Sequence, residues 1–146
     1  MRILGIDYGD RHLGLALSDA LRITAQPLGT YRMSDDEEEN RRYFRELVAT
    51  HTVDEIVIGD PLRLDGSRGT RAQKTREFAA WLGKAVDRPI FFMDERLTTR
   101  EALAVLNSGN VRGKRRKEKE DQISAVIILS TYLERRQRET HGSQVG

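Results

Sequence analysis

The stretch MRILGIDYGDRHLGLALSD, residues 1–19, contains two short apolar runs joined by a bend that includes glycine. The first run ends in Asp7, and the second, LGLALS, occupies residues 13–18. Two such runs with a short connection predict a β-hairpin. A carboxylate at the end of a buried strand is costly unless a cation, hydrogen bonds or a solvent-filled cleft compensates for it. Asp7 is therefore the first candidate for a functional residue.

The composition limits the classes of protein to which the chain can belong. Its 146 residues suit one domain with its own core. The 25 basic and 23 acidic residues give a net charge of +2, so nucleic-acid binding would depend on local clusters of charge. The absence of cysteine excludes disulfides and thiolate metal sites. Without an apolar run of about 20 residues or a signal peptide, the chain is predicted to be soluble, cytoplasmic and independent of membranes.

The remainder of the chain alternates between predicted strands and helices. In order, these are a strand over 21–31, a helix capped by Ser34, a strand over 54–59, a helix around 71–85, a strand over 89–93, a helix from Thr98 or Thr99 to about 106, and a helix from 120 to about 136. Pro27 favours an edge position or a bulge for the third strand. A hairpin region followed by βα alternation indicates an α/β fold with a mixed sheet flanked by helices. We expect one domain over residues 1–137 and a flexible tail over 138–146.

Three acidic residues occupy comparable positions in these elements. Asp7 ends the first strand, Glu95 follows the last strand, and Asp121 is expected in the first turn of the final helix. Ligands collect at the carboxyl ends of parallel strands, where three carboxylates would repel one another. A hard divalent cation such as Mg²⁺ or Mn²⁺ prefers oxygen ligands and would remove that repulsion. The pattern therefore predicts a metal site.

Each acidic residue also has a purely structural interpretation. Asp121 suits the N-cap of the final helix, and Asp94 and Glu95 could be salt-bridged residues on opposite sides of a strand end. Asp7 could accept hydrogen bonds from backbone amides in the bend at Gly9. Only the combination of acidic residues at one edge favours a binding site, and whether Asp94 joins it is left open.

Four motifs, in this order and spacing, closely resemble the YqgF (RuvX-like) family: GIDYGDRHLGLALSD, VIGDPLRLDGS, MDERLTTREA and DQISAVIILSTYLE. The resemblance spans about residues 1–135. Members are described as pre-16S rRNA nucleases or as Holliday junction resolvases with a ribonuclease-H-like fold. It implies a five-stranded mixed sheet whose first three strands are antiparallel. By position, the acidic residues of the family fall on Asp7, Glu95 and Asp121, which the resemblance makes catalytic and metal-binding.

The resemblance also implies a reaction and a substrate. The reaction is metal-assisted hydrolysis of a phosphodiester by two bound ions, Mg²⁺ or Mn²⁺. The implied partner is nucleic acid, either structured RNA at the 5′ end of pre-16S rRNA in a ribosome precursor or branched DNA. The candidates for nucleic-acid binding are Arg96, Arg112, Lys114, Arg115, Arg116 and Lys117, and Arg63, Arg68 and Arg71 could extend this patch from the neighbouring loop. Most of them lie in the segment 108–119, which has almost no apolar residues and is expected to be a mobile loop that orders on phosphates. A solvated loop without a partner is the alternative.

Two other functions remain open, and one residue departs from the family pattern. The hairpin resembles the phosphate-binding loop of actin-like and sugar-kinase ATPases, but those need two such domains and 146 residues provide one. A non-catalytic nucleic-acid-binding factor in transcription or ribosome assembly would keep the fold and the basic run. The departure is Asp60, which replaces the apolar residue that typically precedes the proline. Its side chain could add a fourth carboxylate near the metal or face solvent, and we expect it to face solvent.

Overall fold

The structure, a computed structural model, describes residues 1–9, 11–61, 69–94 and 114–145. Its elements are β1 (Arg2–Tyr8), β2 (His12–Ser18), β3 (Ala25–Arg32), α1 (Glu37–Thr50), β4 (Val53–Asp60), α2 (Thr70–Val86), β5 (Ile90–Asp94) and α3 (Lys114–Val145). Side chains of α3 are described for residues 122–139. The helix predicted from Thr98 or Thr99 to about residue 106 lies outside the described residues.

The five strands form one mixed sheet in the order β3-β2-β1-β4-β5. β2 pairs antiparallel with both β1 and β3, whereas β4 pairs parallel with both β1 and β5. The predicted mixed sheet, with its first three strands antiparallel, is confirmed. Pro27 lies in the edge strand β3, opposite a shift of register between Leu15 and Ala16, so the expected edge position and bulge are both present.

Alternating side chains divide the interior into two cores, one on each face of the sheet. Leu4 and Ile6 of β1 belong to the core beneath α1 and α2, whereas Ile3 belongs to the core beneath α3. Side chains two residues apart on a strand share a face, which explains this division. Side chains at the ends of neighbouring strands can therefore contact each other only if they lie on the same face of the sheet.

An aromatic cluster joins α1 to α2. The ring of Phe44, which is fully buried, meets Tyr31, Phe78 and Trp81 edge-on. Such arrangements contribute about 0.5–1.5 kcal/mol per pair beyond the area they bury. The indole Nε1 of Trp81 donates a hydrogen bond to Glu37 Oε1 at 2.8 Å, which fixes the start of α1 against α2.

On the other face, α3 approaches β1 closely because residue 5 is glycine. A Cβ atom at Gly5 would lie 2.8 Å from Leu129 Cβ and 3.2 Å from the carbonyl oxygen of Ala125. Further along the helix, Tyr132 Oη donates to Glu55 Oε2 at 2.7 Å, and Arg136 donates to Glu55 Oε1. The helix is thus held over the middle of β1 and the start of β4.

Two helix starts differ from the predictions. The N-cap of α1 is Asp36, whose Oδ1 accepts from the amide of Glu38 at 3.0 Å, while Ser34 Oγ accepts from the amide of Asp36. Helix α3 begins at Lys114, so the part of the predicted loop from residue 114 onward is helical. Asp121 is the eighth residue of α3 and cannot be its N-cap. The loop prediction was wrong there because Lys, Arg and Glu form exposed helices readily.

Helix α3 is 32 residues long and continues to Val145. The predicted domain end at residue 137 therefore falls within a helix, and the division into a domain and a flexible tail stays a prediction. Among the residues that the structure describes, none of the helices combines the length and the apolar content that crossing a bilayer requires.

Candidate active site

Asp7 lies near the C-terminal end of β1, on the face of the sheet that α3 covers. Ile3 and Gly5 of β1 meet α3, and Asp7 is the next residue of that alternating series. The residues from Ile3 to Ile6 are buried, whereas Asp7 is partly exposed. Its carboxylate therefore stands where the buried part of the sheet ends and solvent begins.

The strand positions beside Asp7 are glycines. On β2, the Cα partner of Asp7 is Gly14. On β4, the last paired residue is Ile58, opposite Ile6, so Gly59 is the next position along. Neighbouring strands lie about 4.8 Å apart, close enough for a side chain at either position to crowd the carboxylate. Two glycines avoid that crowding on both sides of Asp7.

Helix α3 crosses the sheet at the level of Asp7. Gln122 Nε2 donates to Thr30 Oγ1 of β3 at 3.2 Å. Thr30 is the Cα partner of Gly14, which is in turn the partner of Asp7, so the three residues form one row across three strands. That row is about 10 Å wide at the usual strand spacing. Asp121 directly precedes Gln122, so the backbone of α3 brings position 121 close to the row that contains Asp7.

Of the three predicted metal ligands, Asp7 alone has a described side chain. Asp121 is placed by its backbone in α3, and Glu95 lies outside the described residues, directly after the end of β5. Within the described part of the chain, no three His, Asp or Glu side chains are grouped so that they could hold a metal ion. Because two of the three ligands lie beyond that part, the predicted metal site stays a prediction.

The predicted nucleic-acid-binding residues are described only in part. Four of them lie outside the described residues: Arg63, Arg68, Arg96 and Arg112. Lys114, Arg115, Arg116 and Lys117 open α3 with only their backbone described. Arg71 is described in full: its Nη2 donates to the carbonyl oxygen of Tyr8 at 3.4 Å. The positively charged guanidinium of Arg71 therefore lies at the C-terminal end of β1, beside Tyr8, the residue that follows Asp7.

Asp60, which was expected to face solvent, is buried with an exposed fraction of 3%. Its Oδ2 accepts from Arg76 Nη2 of α2 at 2.5 Å. Asp60 shares the α2 face of β4 with Ile56 and Ile58, opposite to the face of Asp7. The prediction was wrong because a helix packed on that face supplies a cation to pair with the carboxylate, and the strand sequence does not reveal this partner.

The alternation along β5 shows on which face of the sheet Asp94 lies. Phe92 packs against the core beneath α1 and α2, and Met93 belongs to the core beneath α3. Asp94 therefore falls on the α2 face, where it is the Cα partner of Asp60. It lies on the opposite face of the sheet from Asp7, which counts against a shared metal site.

A family model described as "RuvX: Holliday junction resolvase" matches residues 1–135. The chain belongs to this family. A relative from Halothermothrix orenii is 44% identical over 142 residues, which cover 97% of this chain and 100% of that protein. A relative from Halalkalibacterium halodurans is 45% identical over 138 residues, covering 94% and 99%. Both carry the name "Putative pre-16S rRNA nuclease".

Solved structures of resolvases share the fold of this RuvX family member. T. thermophilus RuvC in complex with a Holliday junction substrate has a TM-score of 0.57 at 17% identity, covering 94% of this chain and 96% of that chain. The fowlpox virus resolvase in complex with Holliday junction DNA has a TM-score of 0.56 at 10% identity, covering 92% and 97%. The likeness concerns the fold alone, and the predicted ribonuclease-H-like fold is confirmed.

Proposed function

We propose that this chain is a divalent-metal-dependent nuclease that hydrolyses phosphodiester bonds and processes the 5′ end of pre-16S rRNA. The observation that carries the proposal is the setting of Asp7. Asp7 follows the buried part of the central strand and has glycine positions on both neighbouring strands. It also lies in the row of residues that α3 crosses at Gln122, the residue after Asp121. Membership of the RuvX family supports a nuclease, and the name shared by the relatives supports pre-16S rRNA as the substrate.

The residues fit a hard divalent cation. Asp7, Glu95 and Asp121 offer carboxylate oxygens, which Mg²⁺ and Mn²⁺ prefer as ligands. Gly14 beside Asp7 has no side chain to occupy the space that a cation and a phosphate would need. When bound, such an ion supplies positive charge that stabilises the attacking and leaving oxygens of a phosphodiester displacement.

In this proposal each set of residues has one task. Asp7 holds the ion at the centre of the sheet, and Glu95 and Asp121 complete the ligand set from the end of β5 and from α3. The basic residues Lys114–Lys117 bind phosphates of the substrate. They lie four to seven residues before Asp121 on the same helix, a distance of about 6–10 Å along its axis. Substrate contacts and a metal ligand are thereby joined by one rigid element.

Cleavage of four-way DNA junctions is the second candidate function, and the description of the family favours it. A resolvase cuts two strands and needs two sites related by symmetry, whereas an enzyme that trims rRNA can act as a monomer. The test therefore offers both substrates to the same protein preparation, with a pre-16S rRNA 5′ precursor and a four-way DNA junction assayed in Mg²⁺ and in Mn²⁺.

Asp7→Asn is the decisive variant because it keeps the size of the side chain and removes its charge. We expect cleavage to fall by at least about a hundredfold, since an ion ligand is lost. The Tm of the metal-free protein should stay level or rise, because repulsion among carboxylates is relieved. Saturating Mn²⁺ should stabilise the wild-type protein by about 2.7 kcal/mol at a hundred times the Kd, and the variant much less.

Asp87→Asn is the matched control. Asp87 directly follows α2 as its C-cap, with a φ of 53°, a conformation that asparagine adopts as readily as aspartate. It is exposed and lies at the end of α2 farther from Asp7, so cleavage and the Mn²⁺ effect should match those of the wild type. Full activity in Asp7→Asn would refute the assignment of the site. Binding without cleavage of either substrate by the wild type would identify a non-catalytic nucleic-acid-binding factor instead.

A further inference from the structure

An ion pair with a buried carboxylate lies at the same edge of the sheet as Asp7 but on the opposite face. Arg76 Nη2 of α2 reaches Asp60 Oδ2 at the end of β4, and the Asp60 side chain is only 4% exposed. The guanidinium of Arg76 also lies over the ring of Phe92 on β5, 3.7 Å from its centroid. One side chain therefore contacts the ends of two parallel strands.

This ion pair also balances charge at the ends of those strands. Asp60 and Asp94 are Cα partners on β4 and β5, and both lie on the α2 face. Carboxylates on neighbouring strands at a buried edge repel each other unless a cation is near. Arg76 supplies that cation from the helix that packs on this face. Its position over Phe92 gives the same guanidinium a favourable contact with the aromatic ring.

Stability alone does not explain the pair. Asp60 Oδ1 and Arg76 Nε are buried and have no hydrogen-bond partner among the described residues. Burying the Asp60 carboxylate costs free energy, and a pair with unmet hydrogen bonds recovers less of that cost than a saturated one. Replacement of a buried charge and its partner by apolar side chains of similar size is often neutral or stabilising. The pair also fixes the positions of α2, β4 and β5 relative to one another.

We propose that the Arg76–Asp60 pair is a positioning device for the active site. This inference rests on the proposed function, because the residue that the pair positions is Glu95. Arg76 holds β5 by Phe92 and β4 by Asp60, so it sets where β5 ends relative to β4. Glu95 is the next residue of the chain after β5, and β4 is the neighbour of the strand that carries Asp7. In this proposal a displacement of the end of β5 moves Glu95, because the two are joined directly in the chain.

Amide hydrogen exchange of β5 tests the positioning without reference to activity. Arg76→Met keeps an apolar chain over Phe92 but removes the charge, so exchange in a peptide over residues 90–94 should rise at least tenfold. Exchange in β1 and β2 should change less than twofold. Arg76→Lys keeps the cation and should restore part of the protection. The double variant Asp60→Leu, Arg76→Met removes the pair without leaving a buried charge unpaired, so exchange over residues 90–94 should stay raised. A return to the wild-type rate would mean that Arg76→Met acts only through the unpaired Asp60, and it would overturn the positioning device.

Arg45→Met is the matched control. Arg45 Nε donates to the carbonyl oxygen of Ala85 at 2.8 Å, so this arginine also links two elements, but at the opposite end of α2. Its replacement should leave exchange in β5 unchanged. Arg76→Met should also raise the Mn²⁺ concentration for half-maximal cleavage about tenfold, with a smaller loss of rate at saturating Mn²⁺. Arg45→Met should leave that concentration unchanged.

The outcomes separate this inference from the proposed function. Unchanged exchange over residues 90–94 in Arg76→Met overturns the positioning device, whatever the activity. Raised exchange with an unaltered Mn²⁺ requirement also overturns it, because the strand end then moves without affecting a ligand. If the wild-type protein cleaves nothing, the proposed function fails, and Mn²⁺ binding followed by electron paramagnetic resonance replaces the cleavage readout. Equal Mn²⁺ binding by the wild type and Arg76→Met would then overturn the device.

Discussion

Replacing Gly5 with alanine tests the contact that places α3 over the sheet. The added Cβ would lie 2.8 Å from Leu129 Cβ and 3.2 Å from the carbonyl oxygen of Ala125. Carbon atoms pack best at about 3.5–4.0 Å, so the helix must retreat by about 1 Å or the contact must remain compressed. Neither neighbouring atom is the end of a flexible side chain, so a change of rotamer cannot relieve the clash.

The free energy of unfolding should fall by about 1–2 kcal/mol. Overpacking of this kind costs about 1–3 kcal/mol. Alanine also restricts the unfolded chain, which offsets about 0.4–1 kcal/mol of that cost. For a chain of this size, each kcal/mol moves the Tm by about 2–4 °C, so the Tm of Gly5→Ala should be lower by about 2–8 °C. A larger residue at this position, as in Gly5→Val, should lower it further.

Cleavage should fall more than stability, because α3 carries Asp121. A misplacement of about 1 Å at a catalytic group can cost on the order of a hundredfold in rate. We therefore expect Gly5→Ala to lose about 10- to 100-fold in kcat at a temperature where the variant is fully folded.

Gly83→Ala is the control for the assay, which combines thermal unfolding followed by circular dichroism with cleavage kinetics. Gly83 lies inside α2, and a Cβ there would meet Ile90 Cδ1 at 3.4 Å, the end of a flexible side chain. Alanine is a better helix former than glycine by about 1 kcal/mol, so the Tm should rise and cleavage should not change. A Tm of Gly5→Ala equal to that of the wild type would refute the close contact. A lowered Tm with full activity would refute the role of Asp121.

Two other properties can be checked in solution. Burial by itself raises the pKa of Glu55, but hydrogen bonds from Arg136 and Tyr132 and the positive charges of Arg136 and Arg22 outweigh it and hold the pKa below its ordinary value of 4.5. Such a carboxyl group stabilises the fold above pH 4.5, and its contribution is lost as the pH falls through the lowered folded-state pKa. Urea midpoints measured from pH 7 to pH 3 should therefore fall less steeply in Glu55→Gln than in the wild type, and equal slopes would contradict this. Alanine at all four positions of Lys114–Lys117 should weaken binding to every nucleic-acid sequence alike and flatten its dependence on salt by up to about four phosphate contacts, measured by fluorescence polarisation. An unaltered salt slope would mean that these residues are only solvated.

The fold and the position of Asp7 could be predicted because both depend on local patterns. A period of two along β1 separates Ile6, on the face of the sheet that α1 and α2 cover, from Asp7, on the face that α3 covers. The edge position of Pro27 follows from the missing amide hydrogen of proline in the same local way. Such features need only the residue and its neighbours in the chain.

Contacts between side chains of different helices and strands could not be predicted from such local patterns. Arg76 is sixteen residues from Asp60, and its pairing depends on how α2 packs against the sheet rather than on spacing in the sequence. The contact between Gln122 and Thr30 spans ninety-two residues and depends on the path of α3. The start of α3 was missed for a different reason, because a run rich in Lys, Arg and Glu suits an exposed helix as well as a loop.

The two cores also differ in how their unfolding can be observed. Trp81 is the chain's single tryptophan, and it lies with Phe44 and Glu37 in the layer formed by α1 and α2. Its emission therefore reports the loss of that layer and does not respond directly to α3 on the other face. Circular dichroism, in contrast, includes the whole length of α3. If the helix leaves the sheet in a step of its own, ellipticity changes at a lower denaturant concentration than fluorescence does; coincident curves mean that the two cores unfold as one cooperative unit.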